Sequence, residues 1–382
     1  MTTAPSGRDL LALSRRRILT ATAAAGVATL AGPFVSRTGL ASSGELNFMG
    51  WAGYDFKAVF DGFTKQTGIK LNFVEQPDQD AMFAQAKAGG VGAYDMAEPT
   101  ADRVPNWIEQ DFIEAIDGQK AGIDGVVPAF VSGSAGEQQT KGGKRYAMPT
   151  VWGTEALLFN NKETQLDYGK AGIGTLFDEK YAGALTVRPH SCLAAIGRWL
   201  DAEGKLPRPF TDSFKDEAAM TVNYDVILKK ALEIKPNVAQ FWKDENSATG
   251  AFRTNGCVIG HCWDTTAGLL IKEGFPASYL APKEGAFAWM QNFAMLKGAK
   301  NVEQVYAFMT YMTKPEAAAA YATAFGANPT AKGSVDKMGK ATADFLAASF
   351  PGDAFDRLWW WPAQTSWFVA KRNEYADKFQ AG

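Results

Sequence analysis

The chain reads as an α/β fold, and three observations predict it. Short apolar runs bounded by glycine alternate with stretches of helical apolar spacing, giving strand, loop, helix, strand, helix, strand over residues 45–98. That order predicts a parallel or mixed sheet with helices on both faces. Large aromatics stand where strands end, the place at which an open sheet of this class collects a ligand.

Ahead of the first strand lies a leader. Arg15-Arg16-Arg17 precede Ile18-Leu19 and an Ala-rich apolar segment running to about Val35, with small residues at Gly39 and Ala41. A basic start, an apolar middle and small residues at the cut describe a signal peptide over 1–41. The consecutive arginines resemble the twin-arginine type, read by an export machine that accepts folded proteins. A membrane anchor is the alternative, which the short Ala/Gly/Thr-rich segment suits poorly. The first cysteine is Cys192, so no lipid attachment follows the leader.

Removing the leader takes away five arginines and one aspartate, moving the formal net charge from −2 to about −6. A mildly acidic chain lacks the basic surplus that nucleic-acid binding demands. The remaining length suffices for two lobes. Eleven tryptophans exceed what a core needs, so some should line a concave site. Cys257 and Cys262 lie an odd number apart in an apolar run, hence on opposite faces of a strand, and all three cysteines are expected as buried free thiols. The two histidines, His190 and His261, lack zinc spacing, so neither a metal nor another cofactor is expected.

Taken in order, Leu46, Phe48 and Met49 form a buried first strand, and Gly50 and Gly53 the turn after it, which places Trp51, Tyr54 and Asp55 at a cleft. Residues 56–66 form a helix burying Val59, Phe60 and Phe63, and 69–74 a strand. A second helix covers 80–88 and stops at Gly89-Gly90. The strand entering Glu98-Pro99-Thr100-Ala101-Asp102 ends in a proline turn whose side chains can meet a ligand. Helical spacing returns at 194–200, 214–219, 222–235, 302–312 and 315–324. The run Trp359-Trp360-Trp361, with Trp367, either packs a core or extends an aromatic wall.

Several motifs then occur in a familiar sequence: Trp51-x-x-Tyr54, Phe63 to Asn72, Lys87-Ala88-Gly89-Gly90, Tyr94-Asp95 before Pro99-Thr100, Lys144 to Pro149 with Val151-Trp152-Gly153-Thr154, Asn160, Ala281-Pro282-Lys283-Glu284-Gly285 and the closing Gln380-Ala381-Gly382. In that order they resemble the periplasmic polyamine (spermidine/putrescine)-binding proteins of ABC transporters. The resemblance implies a two-lobed periplasmic-binding-protein fold with crossover hinge strands. Lobe 1 would be 45–149 plus 265–298, lobe 2 would be 150–264 plus 299–382, and the ligand cleft would lie between them. It implies a monomeric, non-enzymatic, periplasmic substrate-binding component that hands a small amine to a membrane permease and ATPase.

The resemblance also implies site residues. Trp51 and Tyr54 would lie against the ligand's alkyl chain, Thr100 would offer a hydroxyl, Trp152 sits in the crossover motif, and Trp263, Asp264 and Thr266 end the second crossover strand. Indole faces attract ammonium groups and a carboxylate neutralises them, with Asp264 the expected counter-ion. The chain departs from the family at three positions. Leu185-Thr186 leads to Arg188-Pro189-His190-Ser191, an arginine where an acid is expected. Gln291 replaces another acid, and Asp102 stands where a tyrosine is frequent. Arg188 and Ser191 therefore enter the candidate cleft, and a zwitterion becomes as reasonable a ligand as a polyamine: Arg188 would clamp a carboxylate, sulfonate or phosphonate while Asp102 or Asp264 holds the ammonium. An exported enzyme is the rival class, disfavoured by the lack of a G-x-S-x-G, P-loop or H-E-x-x-H motif. A sugar binder of the same fold is another, poorly matched to those charges.

Overall fold

The computed structural model describes residues 44–382, so the expected signal peptide lies outside the described residues. β1 (Glu45–Trp51) pairs in parallel with β2 (Lys70–Gln76) and with β3 (Met96–Ala97). The helices Lys57–Thr67 and Gln79–Gly89 connect them. Gly68 ends the first in the left-handed conformation, and the Asp78 carboxylate starts the second by accepting from the Ala81 amide. Gly50, expected in a turn, is inside β1, where a Cβ would come within 2.6 Å of the Phe73 ring. The turn falls at Gly53 instead.

Beyond the small hairpin of β4 (Thr140–Lys141) and β5 (Lys144–Arg145), β6 (Met148–Asn160) runs through the middle of the molecule, buried along all but its last residue. A second parallel group follows: β7 (Leu185–Val187), β8 (Val238–Phe241) and β9 (Ile259–Trp263). The chain then returns through β10 (Ala277–Leu280) and β11 (Phe287–Met295), adding β12 (Asn328–Pro329) and β13 (Trp359–Trp360). The sheet order is β2-β1-β3-β11-β6-β9-β7-β8, with β10 and β12 also on β6 and β13 on β11. The sheet is mixed: two parallel groups are joined by the long antiparallel pair β6 and β11. Glu155 of β6 marks the crossing, since it pairs with Phe287 of β11 on one side and Trp263 of β9 on the other.

Aromatic packing decides where the later helices belong. Phe308, on the helix Val302–Met312, lies 5.7 Å from Phe48 and 5.0 Å from Phe63. On the helix Pro315–Phe325, Tyr321 stacks on Phe56 at 4.6 Å. Both helices therefore pack with the β1 half. The C-terminal helix Ser366–Ala381 packs on the other half, where Phe368 stacks on Phe214 at 4.5 Å. The two helices expected at 214–219 and 222–235 are one, Glu217–Glu233. Nothing between Ala219 and Val222 breaks it, and Asp216 caps its start. All three cysteines are free and buried.

Candidate functional site

The carboxyl ends of the two parallel groups face one another across a cleft of about 630 Å³, its open mouth included. Trp51 closes β1, Gln79 follows β2, and Thr100 and Asp102 follow β3. Arg188 and His190 follow β7, and Trp263 closes β9. The crossing strands add Glu155 from β6 and Trp289 and Gln291 from β11, and the C-terminal segment adds Trp361, Gln364 and Arg372.

The aromatic wall is held rigidly. The rings of Trp51 and Trp263 meet edge to face at 6.1 Å, joining the two halves. Each indole N–H is engaged: Trp51 donates to the Glu98 carbonyl at 3.2 Å, Trp263 to Glu155 Oε1 at 2.9 Å and Trp289 to the Thr154 carbonyl at 3.1 Å. Tyr54 stacks on Phe325 at 4.1 Å and donates its hydroxyl to Glu245 Oε2 at 2.7 Å, a second bond across the gap.

The charges are arranged less expectedly. The Arg188 guanidinium lies 4.9 Å from the Trp263 ring and 5.4 Å from Trp242, with Glu155 at 3.9 Å, too far for a hydrogen bond. Arg103 and Arg372 share one carboxylate, Asp80, at 2.8 and 3.2 Å. Burial pushes the Asp80 carboxyl up, but those two guanidiniums outweigh it and hold it well below the usual range. Burial raises Asp102, whose Oδ2 accepts from Gln364, and also raises Glu155 against the pull of Arg188. Burial, reinforced by Arg188, Arg372 and Arg103, depresses His190 far below its ordinary value, so its imidazole is neutral at pH 7.

Of the residues expected from sequence, Trp51, Tyr54, Thr100, Asp102, Arg188, Trp263 and Gln291 converge on this cleft. Four do not line it. Asp264, the expected counter-ion, is fully buried behind the wall. Its carboxylate accepts from the Thr154 amide and hydroxyl and from the Thr265 amide, and burial pushes it up to about 7. It opens the helix Asp264–Lys272 directly after β9 ends at Trp263. Thr266 and Ser191 are fully buried within their helices. Trp152 packs between Phe130 and Trp360 at 5.9 and 6.1 Å. Sequence reasoning missed Glu155, His190, Arg103, Trp289, Gln364 and Arg372. Glu155 was signalled by its place directly after the crossover motif, and His190 stood beside Arg188 in the departing stretch. Arg372 had no local signal, because a helix folded back from the far end of the chain delivers it.

The family model for bacterial extracellular solute-binding proteins matches residues 58–348. The chain belongs to that family. This solute-binding protein is 26% identical over 284 residues to the spermidine/putrescine-binding periplasmic protein of Escherichia coli K12, covering 74% of this chain and 76% of that one. It is 25% identical over 306 residues to a putrescine-binding periplasmic protein of Pseudomonas aeruginosa, covering 75% and 78%. Among solved structures, the spermidine/putrescine ABC transporter substrate-binding protein of Streptococcus pneumoniae superposes with a TM-score of 0.68 at 21% identity, over 88% of this chain and 98% of that one. The two-lobed binding-protein fold with strands crossing between lobes is thereby shown. The family is one of extracellular solute-binding proteins.

Proposed function

We propose that this solute-binding protein captures a small amine-bearing solute between its lobes and delivers it to a membrane permease driven by an ATPase. The observation that carries the reading is the meeting of Trp51 and Trp263 from opposite halves beside the buried carboxylate of Glu155. Indole faces and a desolvated carboxylate together recognise an ammonium, and Asp102 with Gln291 adds acceptors on the same wall. The relatives named above for spermidine and putrescine support an amine as ligand. The same reading has the protein exported as a monomer to the periplasm, its 1–41 leader read by the twin-arginine route. It also divides the lobes within β6: 45–149 and the helices at 302–325 lie on one side, 150–264 and the C-terminal helix on the other.

Closure needs no energy source beyond the better contacts that the solute makes with both lobes at once. The test is calorimetry and thermal unfolding of the purified protein with putrescine, spermidine and other small amines. A ligand at a hundred times its Kd stabilises by about 2.7 kcal/mol. Trp51→Ala and Glu155→Gln should each weaken that binding. If amines of every class leave the unfolding temperature unchanged and release no heat, the reading is refuted.

A further inference from the structure

An ammonium alone does not account for the cleft. Arg188 reaches into it with its side chain 12% exposed, held by two indole rings that engage the cation but not its N–H groups. No described residue accepts a hydrogen bond from that guanidinium. Its nearest carboxylate, Glu155, is 3.9 Å away and already accepts from Trp263. Arg103, 3% exposed, lines the same cavity with its Nε buried and unpartnered. Its Nη2 meets Asp80, which must also serve Arg372, while Asp102, the other carboxylate that acts on both guanidiniums, accepts from Gln364. His190 stands in the first turn of the helix Pro189–Ala202, whose free amides favour negative charge at this end.

Donors kept buried and unmatched are unfavourable unless a partner arrives from outside. A polycation would bring a second ammonium against these guanidiniums, which like-charge repulsion opposes. We infer that the solute carries an anionic group, a carboxylate or comparable oxyanion, in addition to its amine, and that Arg188, Arg103 and His190 form the subsite that receives it. The inference rests on reading the cleft as the solute site. Glu155, Asp102 and the Gln291 carbonyl, whose oxygen is buried without a donor, are left for the ammonium. Rigid indoles behind Arg188 orient the guanidinium in advance, which favours a two-point grip over a diffuse attraction.

The test compares ligands of equal length in calorimetry with the purified protein. Putrescine is set against 4-aminobutanoate, one ammonium being exchanged for a carboxylate, and shorter and longer diamine and ω-amino acid pairs are run alongside. 3-Aminopropylphosphonate and succinate complete the panel. We expect an ω-amino acid or aminophosphonate to bind in preference to its diamine, the tighter of the two naming the anion. Arg188→Gln should weaken it roughly 10- to 100-fold and Arg188→Lys less. Unfolding curves of the unliganded variants show whether they fold, and the wild-type ranking stands without them. If diamines bind and ω-amino acids do not, the inference is overturned while the amine reading survives. If succinate alone binds, the anion subsite stands and the amine reading falls. If nothing in the panel binds, both fall.

Discussion

Replacing Gly153 with alanine puts a methyl group where none fits. Gly153 lies on β6 next to the crossing, and a Cβ there would sit 2.3 Å from Cζ2 of Trp289 and 2.5 Å from Oδ1 of Asp264. Ordinary carbon contacts are about 3.5–4.0 Å, so the overlap with the indole exceeds an ångström. Neither neighbour yields easily: the Trp289 indole is bonded to the Thr154 carbonyl, and the Asp264 carboxylate to the Thr154 and Thr265 amides. Overpacking of this kind costs about 1–3 kcal/mol. Because Trp289 lines the cleft, solute affinity should fall together with stability. Gly250→Ala is the control, since a Cβ on that helical glycine meets nothing within 4 Å. It should stabilise by about 0.5–1 kcal/mol. Urea unfolding followed by tryptophan emission measures both variants. A Gly153→Ala protein with the midpoint and affinity of the wild type would refute the steric argument.

Three further outcomes follow from buried polar groups. Glu98 is pushed up to about 8 by burial, against a lowering bond from Tyr321, so its acid form is the one the fold prefers. Its folded value lies above its unfolded value of 4.5, so stability should fall by about 1.4 kcal/mol per pH unit between those limits as pH rises. Glu98→Gln should flatten that slope in pH-dependent urea titrations, and an unchanged slope would disprove the assignment. His261 runs the opposite way. Burial depresses it to about 3 from 6.5, so the unfolded chain binds the extra proton and stability is lost as pH falls through that window. Neither ring nitrogen has a hydrogen-bond partner, the nearest carboxylate oxygen being that of Glu155 at 3.9 Å, so His261→Leu should remove the acid-side loss at little expense. Tyr54→Phe deletes the hydroxyl that reaches Glu245 across the gap. A loss of about 1–3 kcal/mol is expected, with a larger radius of gyration by X-ray scattering if the bond helps hold the lobes together.

What the sequence showed best was local. Leu46, Phe48 and the stop at Gly89-Gly90 announced the first strand and the second helix because each signal lies within a few residues of its effect. The aromatics at strand ends were legible for a topological reason: the strands within each parallel group end on one side and the carboxyl ends of the two groups face each other, so Trp51 and Trp263 had only to close a strand in either group. Asp264 was misplaced because it starts the helix after β9 and its carboxylate is taken up by the Thr154 and Thr265 amides, and an aspartate beside a tryptophan carries no mark of which of the two faces the gap. Arg103, Arg372 and Asp80 come together only after three distant segments fold, which no local pattern records. The ring partners of Phe308 and Tyr321 likewise lie far back in the chain.

β6 has a consequence for anyone seeking to cut the molecule in two. Its first part ladders to β11 and its last part to β9 and β10, without an intervening loop. Neither lobe is therefore an excisable unit: a fragment ending at Asn160 would carry an unsatisfied strip of backbone, and one beginning after it would leave β9 bare. Exposed strips of that kind recruit other chains. Separately expressed lobes should precipitate, and limited proteolysis should trim surface loops without releasing a stable half.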